Sequence, residues 1–318
     1  MKIDLTYHPD YAELTSGFKA LREIFSDHYR VDSGLVIPTN GATGALDAVF
    51  SCTLAHADGK PTDALVSSME YFDAVRMLKL YGFGLRSVPS DGINYPTDKV
   101  VEALRRNAPS LFYLSVPNNP SGRVLSEADL GQILEAVSDK TRVLIDITLI
   151  GTPSHCLPRE LLNKHDDRID IVVVDSLSKK RGLVRDRGWA IVALRKSTAD
   201  RIHPFAHATN LHGMQTAIAR MNDVTAESET HEKIRTSQKI LDAWSNDFAV
   251  YHPSNSNFAC IELLTTTGSD CKQRLEQRGI KLRAGADLYI DDKYIRIDME
   301  QPKVLQDFLS ALDNILVQ

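Results

Sequence analysis

Short apolar runs rich in β-branched residues alternate along the first two thirds of the chain with longer stretches in which apolar positions recur every three or four residues. Leu35–Ile37, Ala64–Ser67, Leu85–Pro89, Leu111–Val116, Arg142–Ile147, Ile171–Val174 and Trp189–Ala193 read as strands. The stretch Asn40-Gly-Ala-Thr-Gly-Ala-Leu46 leads into a helix ending near Ala55, and further helices are predicted over Tyr71–Tyr81, Thr97–Asn107 and Ser126–Val137. The last opens on Ser126-Glu-Ala-Asp129, a capping box with Asp in place of Glu. An amphipathic helix about Gly17 to His28, striped by Leu21, Ile24 and Phe25, precedes them all. Repeated strand–helix units of this length predict an α/β fold, with a mainly parallel sheet covered by helices on both faces.

After about Thr209 the texture changes. His212 to Trp244 is polar and helix-prone and reads as a connector. Beyond it, a strand at Asn257–Leu264, a helix at Ser269–Arg278, a strand at Tyr294–Ile297 and an amphipathic helix at Lys303–Val317 make a smaller α+β unit. The expected organisation is a large domain over residues 31–210 and a small domain from residues 1–30 plus 245–318. A helical connector at about 211–245 joins them.

Composition narrows the class. The 318 residues are 43% hydrophobic and 25% charged, with a net charge of −5. That balance lacks the basic excess of a general nucleic-acid or membrane-surface binder. Cys52, Cys156, Cys260 and Cys271 show neither zinc-ligand nor disulfide-framework spacing, so no metal is expected and a reducing cytoplasm suits the chain. The opening Met-Lys-Ile-Asp-Leu-Thr is not a signal peptide, and no run approaches membrane-spanning length.

Chemistry collects after four of the predicted strands. Asn40-Gly-Ala-Thr-Gly44 follows the first strand and opens a helix, where free N–H groups and the helix dipole suit a phosphate. Asn119 lies in Val116-Pro-Asn-Asn-Pro-Ser-Gly122, and Asp146 ends an apolar strand in which a carboxylate needs a partner. Lys179 belongs to Asp175-Ser-Leu-Ser-Lys-Lys-Arg-Gly-Leu-Val-Arg-Asp-Arg-Gly-Trp189, which packs two Ser, two Lys and three Arg between two core strands. Taken singly these are a strand–helix turn, turn chemistry, a paired acid and a surface lysine. Together they share the edge where open α/β sheets bind ligands, and a phosphate-bearing cofactor would satisfy the cationic stretch.

The order and spacing of these pieces resemble the aspartate aminotransferase superfamily, the fold-type I enzymes that use pyridoxal 5′-phosphate (PLP), and most nearly the class I/II aminotransferases. The resemblance runs over roughly residues 17–318. Its most specific part is Ser176-x-Ser178-Lys179-x-x-Gly182-Leu183, with Arg187 eight residues after the lysine. It implies a seven-stranded large-domain sheet between helices, a smaller α+β domain and a homodimer. By the same resemblance Lys179 forms the Schiff base, and Ser176, Arg187, Ala42 and Thr43 bind the phosphate. Tyr71 stacks on the pyridine ring, Asn119 binds its 3′-oxygen and Asp146 pairs with its nitrogen. Arg296, in Tyr294-Ile-Arg-Ile-Asp298, grips the substrate carboxylate. Lys180 and Arg185 compete for these roles but do not fit the spacing.

The chemistry agrees with each role. A carboxylate at the ring nitrogen keeps it protonated, so that the ring can accept electrons from Cα. A displaced lysine is the natural base for the Cα proton. The implied activity is amino transfer between an α-amino acid and a keto acid. The same scaffold also supports decarboxylation, elimination or replacement, cyclisation and oxidation. A non-catalytic ligand-binding module is the third reading, and the joint presence of Lys179, Asp146, Asn119 and Arg296 stands against it.

The chain departs from the family in its short N-terminus, where Tyr7 or Tyr11 is the candidate to reach a partner subunit's phosphate, and in Lys180-Arg181 beside the lysine. It also has Asp146-Ile-Thr-Leu149 where the family has Asp-x-Ala-Tyr. Leu149 cannot donate to the 3′-oxygen. The lysine–cofactor imine is therefore expected to keep its proton to higher pH than in relatives with the Tyr. A spectral titration finding it unprotonated at mildly acidic pH would contradict this.

Overall fold

The computed structural model describes residues 9–149, 162–176, 188–206, 215–216, 218–219 and 223–317. Seven strands form one sheet: β1 (Val36–Asn40), β2 (Asp63–Ser67), β3 (Gly84–Val88), β4 (Leu111–Ser115), β5 (Arg142–Asp146), β6 (Asp170–Ser176) and β7 (Gly188–Ala193), in the order β1-β7-β6-β5-β4-β2-β3. Strands β3, β2, β4, β5 and β6 are mutually parallel, and β7 runs antiparallel to both β6 and β1. Six strands therefore end on one edge, where β7 begins.

Alternation along each strand feeds two cores. Phe112, Leu114, Val143, Ile145, Ile171 and Val173 face one way, against α4 (Thr97–Arg106) and α5 (Glu127–Ala136). Leu111, Tyr113, Leu144, Val172 and Val174 face the other, against α2 (Gly41–Ala55), α3 (Phe72–Leu80) and α6 (Lys196–Ile202). Burial on both faces is why these strands read as continuous apolar runs. The Ser126 hydroxyl caps α5, accepting from the Asp129 amide at 3.0 Å. In α1 (Pro9–Tyr29), Leu21 and Phe25 lie in the core of the seven-stranded sheet, whereas the sequence pattern grouped this segment with the small unit.

The second sheet is antiparallel, in the order β10-β11-β9-β8: β8 (Ala249–His252), β9 (Phe258–Leu263), β10 (Arg283–Ala284) and β11 (Tyr294–Asp298). Its core is shared with α7 (Val224–Ala243), α8 (Gly268–Glu276) and α9 (Pro302–Leu316). Periodicity shows neither β8 nor the two-residue β10, because both are too short to carry a period.

The two sheets are tied at the loop after β4. The Gly122 carbonyl accepts from the Asn255 amide at 3.0 Å and from the Ser254 hydroxyl at 3.3 Å. Gly122 has φ +69°, and a Cβ there would lie 2.0 Å from Ser254 Oγ and 2.1 Å from the Phe258 carbonyl oxygen. Met69 and Ile93 of the large unit pack with Cys260 and Tyr294 of the small one. Gly122→Ala is expected to cost roughly 2–4 kcal/mol through backbone strain and overlap. Equilibrium denaturation measures it, and an unchanged midpoint would show that the loop does not need this close approach.

Candidate active site

The edge where the parallel strands end collects the polar residues. β1 ends on Asn40, and α2 starts at Gly41, whose φ of +79° suits glycine. The N-cap residue Asn40 makes no side-chain cap, so the first-turn amides, at Gly41, buried Ala42 and exposed Thr43, lie at the helix end without intrahelical partners. β6 ends on fully buried Ser176, whose amide donates to Asp175 Oδ1 at 2.6 Å. β7 begins at Gly188 on the same edge. Lys179 and Arg187, like Ser178, Lys180 and Arg185 between these strands, lie outside the described residues, as do Tyr7 and the Tyr11 side chain.

Asp146, at 2% exposure, ends β5 opposite Ser115 of β4. Tyr113 stands opposite Leu144 on the same face, so its hydroxyl reaches diagonally to donate to Asp146 Oδ2 at 3.0 Å. The Thr148 amide donates to Asp146 Oδ1, also at 3.0 Å. Both bonds favour the charged carboxylate. Burial, followed by the charge of Asp146, pushes the Tyr113 phenol well above its ordinary range, so it remains a donor. Leu149 is buried, a hydrocarbon where a donor would otherwise stand.

Tyr71 precedes α3, and its hydroxyl donates to Asp73 Oδ2 at 3.2 Å. Burial raises its phenol above the usual range; Asp73 and Asp146 add to this and Arg296 opposes it. These couplings bring Tyr71, Asp146 and Arg296 into one electrostatic neighbourhood.

Asn119 joins the two units. Its Oδ1 accepts from Arg296 Nη1 at 2.9 Å, and because arginine cannot accept, this fixes which end of the amide faces it. The amide NH2 is thereby left for another acceptor. The Arg296 guanidinium lies over the Phe258 ring, 4.1 Å from its centroid. Arg283 of β10 is its cross-strand partner. Burial lowers the Arg296 pKa, and the positive charge of Arg283 acts in the same direction. Both arginines line a cavity of about 440 Å³ with Phe258, Leu282, Gln301 and Phe308.

The sequence motifs missed three residues. Arg283 sits on a strand too short to recognise. Tyr113 reads as one more core aromatic, although a buried phenol requires a partner. Glu70, at 2% exposure beside Tyr71, looks like a surface acid in the sequence.

The described residues fit PLP. A buried carboxylate with two donors suits a protonated ring nitrogen, a free amide NH2 suits the 3′-oxygen, and uncapped helix amides suit a phosphate. Tyr113→Phe is expected to weaken PLP retention by roughly tenfold, the loss of one charge-assisted hydrogen bond. Cofactor dissociation measured by dialysis tests this, and retention equal to wild type would remove Tyr113 from the site.

The chain matches the model of the family described as aminotransferase class I and II over residues 9–312. It is 26% identical over 299 residues to a histidinol-phosphate aminotransferase of Symbiobacterium thermophilum, covering 92% of this chain and 80% of that protein. Among solved structures, the histidinol-phosphate aminotransferase of Clostridium acetobutylicum aligns with a TM-score of 0.82 at 16% identity, covering 98% of this chain and 91% of the other. An L-threonine-O-3-phosphate decarboxylase of Porphyromonas gingivalis aligns with a TM-score of 0.75 at 19% identity, covering 99% and 98%. At such identities the structural likeness speaks for the fold. The family match spans nearly the whole sequence, and the chain belongs to the class I and II aminotransferases, PLP-dependent enzymes of fold type I.

Proposed function

We propose that this enzyme moves an amino group between an amine that carries a strongly anionic group and a keto acid. The observation that carries the reading is the cross-strand pair Arg283 and Arg296 beside Asn119. Like charges placed directly opposite each other are unfavourable. Asp298, which lines the same cavity and acts on Arg296, supplies one negative charge against two positive ones, so a further anion is favoured beside them. Arginine's planar fork suits a carboxylate or phosphate. The relatives named for histidinol phosphate make a phosphate ester the first candidate, and an α-amino acid carboxylate is the second.

In this reading Asp146 holds the ring nitrogen, Asn119 the 3′-oxygen and Tyr71 the ring face. Ala42, Thr43, Ser176 and Arg187 hold the phosphate. Lys179 anchors the cofactor covalently and, when displaced by substrate, carries the proton to and from the substrate Cα. Bound PLP supplies the electron sink that makes that proton acidic. Arg296 and Arg283 fix the anionic end of the substrate, so that the bond to be broken is set by orientation. A homodimer in the cytoplasm belongs to the same proposal.

Incubating the yellow holoenzyme with amino acids and amino phosphate esters tests this. Conversion of the cofactor to its amine form, with release of a carbonyl product, is expected for an anionic donor. Carbon dioxide release, or ammonia without cofactor amination, would instead mark another reaction at Cα. Lys179→Ala should abolish turnover, and Arg283→Ala should raise KM for a phosphate-bearing donor by about tenfold or more. An unchanged KM would exclude Arg283 from substrate binding.

A further inference from the structure

Glu70 is a buried acid that the roles above do not use. Its Oε2 accepts from the Ser115 hydroxyl at 2.5 Å and from the Ser115 amide at 3.2 Å. The same hydroxyl oxygen accepts from the Asn119 backbone N–H at 3.1 Å and the Asn118 side-chain amide at 3.4 Å. A serine hydroxyl has one proton and two lone pairs. Its proton goes to Glu70, which leaves both lone pairs for Asn118 and Asn119. Asn118 donates to the Met69 carbonyl at 2.9 Å and accepts from the Ser121 hydroxyl at 2.7 Å. Glu70 thus terminates a network that holds the whole turn carrying Asn119.

We infer that Glu70 is a positioning residue: by orienting the Ser115 hydroxyl, it fixes the Asn119 backbone and hence aims the Asn119 side chain at the cofactor and at Arg296. The inference rests on Asn119 being a cofactor residue. Glu70 acts as an uncharged acid. Among the described residues no cation shifts it; burial raises its pKa well above the carboxylate range against the opposing hydrogen bonds from Ser115, and the nearby charge of Asp146 adds to the rise. Among the described residues, Tyr95 and Tyr113 are the other titratable groups coupled to it. Its Oε1 has no hydrogen-bond partner among the described residues, and the hydrogen bonds that stabilise its charged form, from Ser115 and the Tyr71 amide, do not outweigh burial. A neutral acid gives Ser115 a strong acceptor without placing a second negative charge beside Asp146.

Glutamine keeps that acceptor and that neutrality, and alanine removes both. Glu70→Ala, Glu70→Gln, Ser115→Ala, Asn119→Ala and the Glu70→Ala/Asn119→Ala pair separate the possibilities. The readouts are PLP affinity, the pH midpoint of the bound cofactor's visible spectrum, and the infrared carbonyl band of a protonated carboxyl group. Glu70→Ala and Ser115→Ala should weaken PLP binding by about tenfold, the loss of one oriented hydrogen bond. They should also move the spectral midpoint upward, as Asn119→Ala should, because a donor to the 3′-oxygen favours the deprotonated imine. The double variant should be no worse than Asn119→Ala alone. Glu70→Gln should resemble wild type in affinity and midpoint while losing the infrared band. If Glu70→Ala does not fold, Ser115→Ala and Glu70→Gln carry the test. Wild-type affinity and midpoint in Ser115→Ala, with both altered in Asn119→Ala, would overturn the inference. So would a Glu70→Gln protein whose midpoint shifts. An Asn119→Ala protein with wild-type affinity and midpoint would overturn the reading of Asn119 instead.

Discussion

A carboxylate almost without solvent contact is costly to hold at the end of an apolar strand, and the arrangement around Asp146 answers that cost. The water it loses is replaced by donors from Tyr113 and the Thr148 amide. The first exists only because β4 and β5 pair in a register that sets Ser115 beside Asp146, with Tyr113 one diagonal away; the second is local, two residues along the chain. A shift of one residue would turn Tyr113 to the opposite core and take that donor from the acid. The same register puts Ser115 where it can serve both Glu70 and Asn119. Two buried acids thus lie close together in different surroundings. Asp146 receives donors from Tyr113 and Thr148, while burial, and then Asp146 itself, push the Glu70 pKa upward.

The second constraint is the junction between the sheets. Asn119 and Arg296 are 177 positions apart, and a hydrogen bond joins them. Gly122 lies directly against Ser254 and Phe258, so the turn that carries Asn119 cannot move without disturbing β9. The residue proposed for the cofactor's 3′-oxygen therefore also sets the position of the arginine proposed for the substrate. This gives a physical route by which an occupied cofactor site can prepare the substrate site.

Much of the large unit was legible because its strands are buried on both faces. Such strands appear as short β-branched runs, and the helices between them keep their apolar stripes. Asp146 and Asn119 stood out because each interrupts or follows such a run. The elements that escaped were small or supported from elsewhere. β8 and β10 are too brief for periodicity. In α1, Leu21 and Phe25 show an apolar stripe, but a stripe does not name the core it joins.

The sequence by itself determined the alternation of strands and helices, the fold family, the cofactor, and the positions after each strand where polar residues gather. The elements and the polar positions are properties of local pattern and spacing; the family and its cofactor came from the resemblance that the motif order carries. Tertiary structure alone decided which polar groups meet: Tyr113 with Asp146, Glu70 with Ser115, Arg283 opposite Arg296, and Arg296 with Asn119. Such pairings depend on strand order and register, which bring distant residues within a few ångströms, and side-chain spacing along one chain carries no record of them.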